Sequence, residues 1–559
     1  MQKCKHKNLQ QGNLNIGQRN FMSINNQNYY ITDMARRFPI GIQTFAKIRE
    51  NNAIYIDKTD LIYKLAHEGC VYFLSRPRRF GKSLLIDTMN DYFSGRKELF
   101  EGLAISKLES EWKKHPVLRF DFSQKKYITP AMLDEQLNLS LAEYEKIYGK
   151  GDGEITASSR LAGLILRAEQ QTGQKVVFLV DEYDAPLLDT LVNKASFEQM
   201  RQTLRDFYSP LKANDAHIKF IFITGITKFS QLSIFSELNN LNLISMDDAY
   251  ASICGITEDE MKTQMKPEIE DFAESLGKTF DQTCDILKRK YDGYHFSQKS
   301  PDIYNPFSLL SALSKKDLGS YWFGTGTPTF LAEQMKKFDI EPETIDEGFD
   351  ATESVFNIPT ETAITPVAVL YQSGYLTIKG FRPRGRVYKL AIPNEEVREG
   401  LLKCLLPFYA AGNEQKNDTF LLRFTDAIYQ GDIENAMVQL RAFFSSIPYD
   451  AEQQNENHYK TIFYLIFKLS LPFVTNTEVR SAAGRADAVV ETDDAIYVFE
   501  FKLDGSADEA LKQIDDKGYL LPYSATLAEN GTPKKLVKVG ANFDKEKRTL
   551  GDWKIIEAS

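Results

Sequence analysis

Between residues 71 and 250 short apolar runs alternate with longer amphipathic stretches, the pattern of a parallel sheet whose strands are joined by helices. VYFLS (71–75), PVLRFDFS (116–123), KVVFLVDE (175–182) and IKFIFITG (218–225) predict four strands, and LNLISM (241–246) a fifth. Apolar positions three and four apart predict helices at 60–66, from Lys82 to about Phe93, and over 131–147, 155–171 and 194–213. Beyond 250 the texture changes to helices separated by aromatic loops such as YDGYHFS (291–297), IYNPFSLL (303–310) and YWFGTGTPTF (321–330). ITPVAVLYQSGYLTIKG then runs from a helix into a strand, and RVYKLAIPNEEV adds a second strand, the order of a winged-helix-like module. A helical stretch at 396–446 leads into a last α/β unit. The expected division is a flexible tail (1–33), an α/β domain (34–250), a helical lid region (251–350), a winged-helix-like module (351–410), a helical linker (411–451) and a C-terminal α/β domain (452–559).

Composition narrows the class. At 559 residues, 43% hydrophobic and 26% charged, the chain is an ordinary globular multidomain sequence, and its net charge of −9 argues against coating nucleic acid through bulk charge. Residues 455–559 hold 14 Lys/Arg against 17 Asp/Glu, so no broad cationic face is expected there. Five scattered cysteines with no CxxC spacing suit a reducing compartment and offer no zinc site. The longest apolar stretch, FYLIFKLSLPFV (463–474), is too short to span a bilayer, and residues 1–33 are Asn/Gln-rich without the apolar core of a signal peptide. The cytoplasm is therefore the expected location.

SRPRRFGKSLL (75–85) sets Gly81-Lys82-Ser83 between a strand and a helix, where backbone N–H groups and the helix dipole face an anion. There Lys82 reaches phosphate and Ser83 ligates Mg²⁺, with Phe80, Gly81 and Leu84 completing the loop. The first glycine of GxxxxGK[ST] is replaced by Arg76. About a hundred residues on, VVFLV ends in Asp181-Glu182, the place for a magnesium carboxylate followed by the residue that orients the attacking water. The next strand ends at Thr224, a candidate γ-phosphate sensor. Arg78 and Arg79 have three open roles: phosphate contact in cis, contact with a neighbouring subunit, or simple solvation. Asp57 or Thr59 serves as a helix cap or helps to hold adenine.

GRADAVVETDDAIYVFEFKL (484–503) is two apolar runs around Asp493-Asp494, which predicts a hairpin. With those two residues as its loop, Asp487 lies opposite Glu500 and Lys502 shares their face. Two opposed carboxylates repel unless a divalent cation lies between them, and a lysine beside them can act on a water or a phosphate. The alternative is a structural Lys502 salt bridge, which leaves one carboxylate unexplained. Glu478 is a candidate further ligand. Gln513 and Lys517, four apart on a helix, are candidates to face the metal or a bound strand, while Glu456 and Tyr459 read as helix-start and packing residues.

Residues 34–250, through RPRRFGKS, FLVDEYDAPL and FITGITKFSQLSIFSELNNL, resemble the AAA-ATPase-like proteins common in Bacteroidetes and other anaerobic bacteria. Residues 452–559, through GRAD, FEFK and KQIDDKGY, are similar to the PD-(D/E)XK nuclease-superfamily domain that follows in that family. The resemblance implies an ASCE-type P-loop ATPase binding ATP and Mg²⁺ through Lys82, Ser83, Asp181 and Glu182. It further implies a restriction-endonuclease-like domain with Asp487, Glu500 and Lys502 as its triad, acting with Mg²⁺ or Mn²⁺. Nucleic acid, DNA before RNA, is the expected partner beside ATP, with no membrane; a homo-oligomer is a further expectation. Some related nucleases carry Tyr four residues after the helix Gln, where this chain has Lys517. The competing reading is a nucleotide-controlled signalling or scaffold protein whose nuclease fold only binds. Defence against mobile DNA is a guess that no residue here carries.

Overall fold

A computed structural model describes residues 36–191, 193–227, 241–322, 342–358, 365–410, 414–447, 456–470, 475–476, 480–481, 484–485, 487–503, 505–528, 530–544 and 546–558. The expected tail at 1–33 lies outside them. The N-terminal sheet contains β1 (Val71–Ser75), β2 (Val117–Asp121), β3 (Val176–Asp181), β4 (Ile218–Gly225) and β5 (Asn242–Leu243), in the order β2-β3-β4-β1-β5. Every neighbour pair is parallel. Strands buried on both faces need apolar residues at odd and even positions alike, and β3 is buried throughout. Phe73, Phe120, Phe178 and Val180 face a core made with helices Pro130–Tyr148, Ala157–Thr172 and Lys194–Ala213. Leu74, Val177, Leu179 and Phe222 face helix Lys82–Phe93 through Ile86, Met89 and Phe93.

The fifth strand is shorter than LNLISM suggests. Only Asn242 and Leu243 pair with β1, and Ile244–Met246 winds into a 3₁₀ turn. The Ser245 hydroxyl, at 2.8 Å, replaces a ladder carbonyl as acceptor for the Ser75 N–H, which ends the pairing. Helix Thr59–Glu68 begins beside Asp57, whose carboxylate accepts from Thr59 N (2.9 Å), Thr59 Oγ1 (2.7 Å) and Ala104 N (2.7 Å). Asp57 thus ties the helix start to the Ile105–Leu108 turn.

Helices Glu258–Gln264, Lys266–Leu276, Phe280–Tyr291 and Pro306–Lys315 build a core of their own around Met261, Phe272, Leu287 and Leu309. Next, helix Pro366–Ser373 leads into the antiparallel hairpin Thr377–Arg382 and Val387–Ala391, and an unexpected third strand, Phe349–Thr352, pairs with its far side. That helix ends at Gly374, whose φ of +89° and close approach to Pro77 exclude a side chain: an added Cβ would lie 2.6 Å from Pro77 Cβ. This module therefore rests directly on the loop that follows β1.

The helical stretch at 396–446 comprises three helices, Glu395–Ala410, Glu414–Tyr429 and Ile433–Ser445. Together with Glu456–Ser470 they pack on a five-stranded sheet ordered Thr475–Asn476, Ala488–Glu491, Ala495–Leu503, Lys535–Asp544, Thr549–Ala558. Arg441 lies 4.0 Å over the Trp553 ring, and Phe444 meets Phe543 at 5.2 Å. Helix Ala507–Asp516 covers the opposite face through Leu511 and Ile514, and it makes the crossover between the parallel strands Ala495–Leu503 and Lys535–Asp544. Among the described residues no helix is long and apolar enough to cross a membrane.

Candidate functional site

Strand order brings the first site together, since β4 alone separates the loop after β1 from the tip of β3. Left-handed backbone at Arg79 (φ 69°) and Gly81 (φ 91°) curls the loop so that successive N–H groups turn toward one point at the start of helix Lys82–Phe93. The Lys82 ammonium is buried and donates to the carbonyls of Arg76 (2.9 Å) and Pro77 (3.1 Å), which centres it over the loop. Thr224 Oγ1 donates to Asp181 Oδ1 at 2.7 Å, so at this distance the expected sensor fixes the orientation of the Asp181 carboxylate. Glu182 also has left-handed backbone (φ 51°), and burial raises its carboxyl above the usual range, with Lys82 opposing that shift.

Arg78, Arg79, Gly81, Lys82, Ser83, Leu84 and Glu182 line a cavity of about 330 Å³ that is closed by Pro39–Gln43 and Pro306–Phe307. A smaller apolar pocket of about 100 Å³ adjoins it through Pro39, Gly81, Leu84, Pro306 and Leu310, with Tyr55, Ile253 and Ile256 as further walls. The side chain of Phe80 does not reach the phosphate end: it packs edge-on against Tyr294 (4.8 Å) and Phe296 (5.4 Å), leaving only its backbone to the loop. Arg79 is exposed and lies over Phe307 at 4.8 Å. The side chain of Arg78 is also exposed, and its carbonyl accepts from Trp322 Nε1 at 3.2 Å.

Arg76, at the place of the missing glycine, is a lock. Its buried guanidinium donates to the carbonyls of Ser75 (3.0 Å), Ser245 (2.7 Å) and Ala251 (3.3 Å) and lies 4.1 Å over the Phe296 ring. Burial pushes its pKa down to about 10. Asp184, which sequence reasoning passed over, braces the end of β4 by accepting from Ile226 N (3.0 Å), Thr227 N (2.7 Å) and Thr227 Oγ1 (2.7 Å).

The second site sits at the open end of the hairpin. Thr492 N donates to Ala495 O at 2.8 Å, so Asp493-Asp494 is the loop, and the ladder pairs Ala488 with Phe499 and Val489 with Val498. One step further, Asp487 falls opposite Glu500, and its Oδ2 accepts the Phe501 N–H at 2.8 Å. Alternation sends Phe499 and Phe501 toward Phe463 and Phe467, while Val489, Val498 and, by the same parity, Asp487, Glu500 and Lys502 share the face covered by helix Ala507–Asp516.

Glu500 is 2% exposed. Its Oε1 accepts from Lys502 Nζ at 3.0 Å, and its buried Oε2 accepts no hydrogen bond among the described residues. Burial above all, then Asp487, pushes its pKa up to about 7, with Lys502 opposing. Lys502 also donates to Gln513 Oε1, and Gln513 Nε2 donates to Tyr519 Oη at 3.3 Å. Asp487, Glu500, Lys502 and Gln513 line a cavity of about 440 Å³ whose other wall is aromatic, formed by Tyr459, Phe463, Phe467, Phe501 and Phe543. A buried carboxylate oxygen without a donor, next to a second carboxylate, fits a hard divalent cation with oxygen ligands. Among the described residues no third acidic, histidine or cysteine side chain joins the pair at ligating distance.

Of the other expected residues, Glu478 lies outside those described, as does the side chain of Glu456. Lys517 is an exposed residue at the helix end and does not line the cavity. Two residues there were missed. Tyr519 takes up the Gln513 amide because the helix stops at Asp516 and Gly518 (φ 60°) turns the chain back, so a tyrosine six residues along reaches where four were expected. Glu343, from the short helix Pro342–Glu347, lines the same cavity, and no local sequence signal connects it to the hairpin.

Residues 39–235 match a family described as predicted AAA-ATPase, and residues 454–553 match the PD-(D/E)XK nuclease superfamily. The chain is also 35% identical over 534 residues to an uncharacterized protein encoded in the vnfD 5′ region of Azotobacter chroococcum mcd 1, a match spanning 92% of this chain and 98% of that one.

Proposed function

We propose a function for a chain that belongs to the predicted AAA-ATPase family and ends in a domain of the PD-(D/E)XK nuclease superfamily: an ATP-binding and ATP-hydrolysing switch or motor coupled to a metal-dependent nuclease that acts on nucleic-acid phosphodiesters. The observation that carries the nuclease half is the Glu500 carboxyl, buried beside Asp487 with one oxygen lacking a donor. A Mg²⁺ or Mn²⁺ ion held by Asp487 and Glu500 would polarise the scissile phosphate and a bound water. Lys502 is positioned to place that water or to meet a phosphate oxygen, and the Gln513–Tyr519 pair holds the ammonium in place.

In the ATPase half Lys82 would meet the β/γ-phosphates, Ser83 and Asp181 would hold Mg²⁺, and Glu182 would orient the attacking water. Burial raises the Glu182 carboxyl above its usual range, which makes its carboxylate a stronger proton acceptor. The adjoining apolar pocket is sized for the flat face of adenine. The test incubates the full chain with Mg²⁺ or Mn²⁺, with and without ATP, on single- and double-stranded DNA and RNA. Cleavage by the parent that is lost in Asp487→Asn, with ATP hydrolysis retained, is the expected result. Equal cleavage by both proteins would assign the activity elsewhere.

A further inference from the structure

The hairpin Thr377–Arg382 and Val387–Ala391 concentrates positive charge in a chain whose net charge is −9. Residues 379–389, KGFRPRGRVYK, hold five basic side chains and no acidic one. Lys379 is turned inward and donates to the carbonyls of Gly293 (2.7 Å) and Pro393 (2.9 Å). Arg382, Arg384, Arg386 and Lys389 are exposed, and the three arginines sit on or beside the turn Pro383–Arg386. That turn is closed by the Arg386 N–H donating to Pro383 O at 3.2 Å, with left-handed backbone at Gly385 (φ 86°) and at Arg386 (φ 49°). Glycine or asparagine adopts such a backbone more easily, so Arg386 is there against its conformational preference and for its side chain.

Two of the arginines are paired at the surface. Arg382 donates to Asp350, and Arg386 Nη2 donates to Glu353 at 2.7 Å, carboxylates on and just after the edge strand Phe349–Thr352. All four of these side chains are more than half exposed, so each pair is screened by salt and adds little to stability. A guanidinium has five N–H donors, so it keeps one carboxylate and still meets a phosphate. Arg384, at the tip, has no ion pair among the described residues. The helix that precedes the hairpin offers no comparable surface. Pro366–Ser373 (PVAVLYQS) carries no charged side chain, buries Ala368, Val369 and Leu370, and ends at Gly374 against Pro77. Its one amide side chain, Gln372, is buried and donates to the Ile358 carbonyl at 3.1 Å. That helix is therefore unsuited to reading base edges.

We propose that the arginine turn Arg382–Arg386 is a phosphate-backbone contact that holds DNA without reading its sequence. This rests on the reading of nucleic acid as the partner, and it supplies what the C-terminal unit does not. Residues 455–559 hold more acidic than basic side chains, and the pocket around Glu500 holds carboxylates, so a polyanion gains little long-range attraction from that end. A cluster of guanidinium groups on another module provides it. Each phosphate met there releases condensed counterions, and that release favours binding whatever the base sequence.

The test uses the full chain, Arg384→Ala, and a triple variant combining Arg382→Gln, Arg384→Gln and Arg386→Gln. Binding of fluorescent single- and double-stranded DNA oligonucleotides of two unrelated sequences is measured in Ca²⁺ across a salt series, and cleavage in Mg²⁺. The triple variant is expected to bind both sequences about tenfold or more weakly at low salt, with the slope of log affinity against log salt reduced by about 2–3. Arg384→Ala should reduce that slope by about 1. Thermal midpoint and ATP hydrolysis should match the parent. A folded triple variant that keeps the parent's affinity and slope overturns the proposal. So does a loss confined to one sequence, which would mean base reading, and so does a parent that binds neither oligonucleotide. If the triple variant does not fold, an unchanged slope in Arg384→Ala decides against the contact. A salt-sensitive dimer lost in the triple variant, with DNA binding unchanged, overturns it in favour of a second copy of the chain. Weaker binding by the variants with no cleavage by any protein upholds the contact and removes the catalytic reading instead.

Discussion

Replacing Glu500 by glutamine keeps an acceptor for Lys502 and removes a charge that the folded chain holds at a cost. The size of that cost follows from the site. An ordinary glutamate ionises near 4.5, and burial beside Asp487 moves Glu500 to about 7. That difference corresponds to at most about 3 kcal/mol. Its pH dependence has a definite sign. Below pH 4.5 folded and unfolded chains both carry the protonated acid, so the group costs nothing. Between pH 4.5 and about 7 the unfolded chain ionises while the folded chain stays protonated, so the parent loses stability across that window and the loss levels off once the folded chain ionises too. In chelator, Glu500→Gln should therefore match the parent at pH 5 and unfold at a higher temperature at pH 8, by roughly 5–10 °C for a unit of this size. Mg²⁺ should narrow the gap at pH 8 by stabilising the parent alone. Calorimetry of the full chain, following the transition of the C-terminal unit, gives both numbers. A Glu500→Gln protein that is less stable at pH 8, or equally stabilised at both pH values, would refute the assignment of a carboxylate whose burial outweighs its Lys502 partner.

Four further substitutions test separate groups. Lys82→Ala should abolish binding of a fluorescent ATP analogue, whereas Glu182→Gln should keep binding and lose hydrolysis; hydrolysis equal to the parent would move the base elsewhere. Lys502→Ala should retain Mn²⁺ binding by titration calorimetry and lose cleavage, and retained cleavage would exclude the lysine from the chemistry. Arg76→Ala leaves the carbonyls of Ser245 and Ala251 without their buried donor and should destabilise the N-terminal domain by about 2–4 kcal/mol in a denaturant titration. A change below about 0.5 kcal/mol would show that the guanidinium is not a lock.

What the sequence made legible was whatever repeats locally. The buried strands announce themselves as continuous apolar runs, and the hairpin register follows from two adjacent aspartates between such runs, which is why register alone pairs Asp487 with Glu500. Local signals fail where partners are distant. LNLISM looks like a strand to its end, yet Ser245 bonds Ser75 through its hydroxyl and stops the ladder. Arg76 reads as a defect in a glycine motif, and only the fold shows that its guanidinium gathers carbonyls from the segment beyond β5. Phe80 sits inside a phosphate motif, but an aromatic ring next to Tyr294 and Phe296 gains more from burial than from solvent. Tyr519 was missed because Gln513 and Lys517 were read as one helical face, whereas the helix stops at Asp516 and Gly518 turns the chain back.

The same long-range contacts link the two sites. The Arg78 carbonyl in the phosphate loop accepts from Trp322 Nε1, and the Trp322 backbone N–H donates to Glu396 at 2.8 Å. Two residues along that helix Arg398 donates to Asp346 of the Pro342–Glu347 helix. A chain of contacts is not coupling by itself; coupling requires an element with two arrangements whose balance both sites shift. The Pro342–Glu347 helix, reached from Arg398 through Asp346, is where such a shift would be read. If nucleotide at the loop draws on the Arg78 carbonyl, a non-hydrolysable ATP analogue should change hydrogen exchange through 342–347 in the parent protein. Glu396→Gln should blunt that change while leaving analogue affinity within about twofold, since Glu396 touches neither pocket. Exchange in 342–347 that ignores saturating analogue would mean that this route of hydrogen bonds holds the parts together without carrying a signal between them.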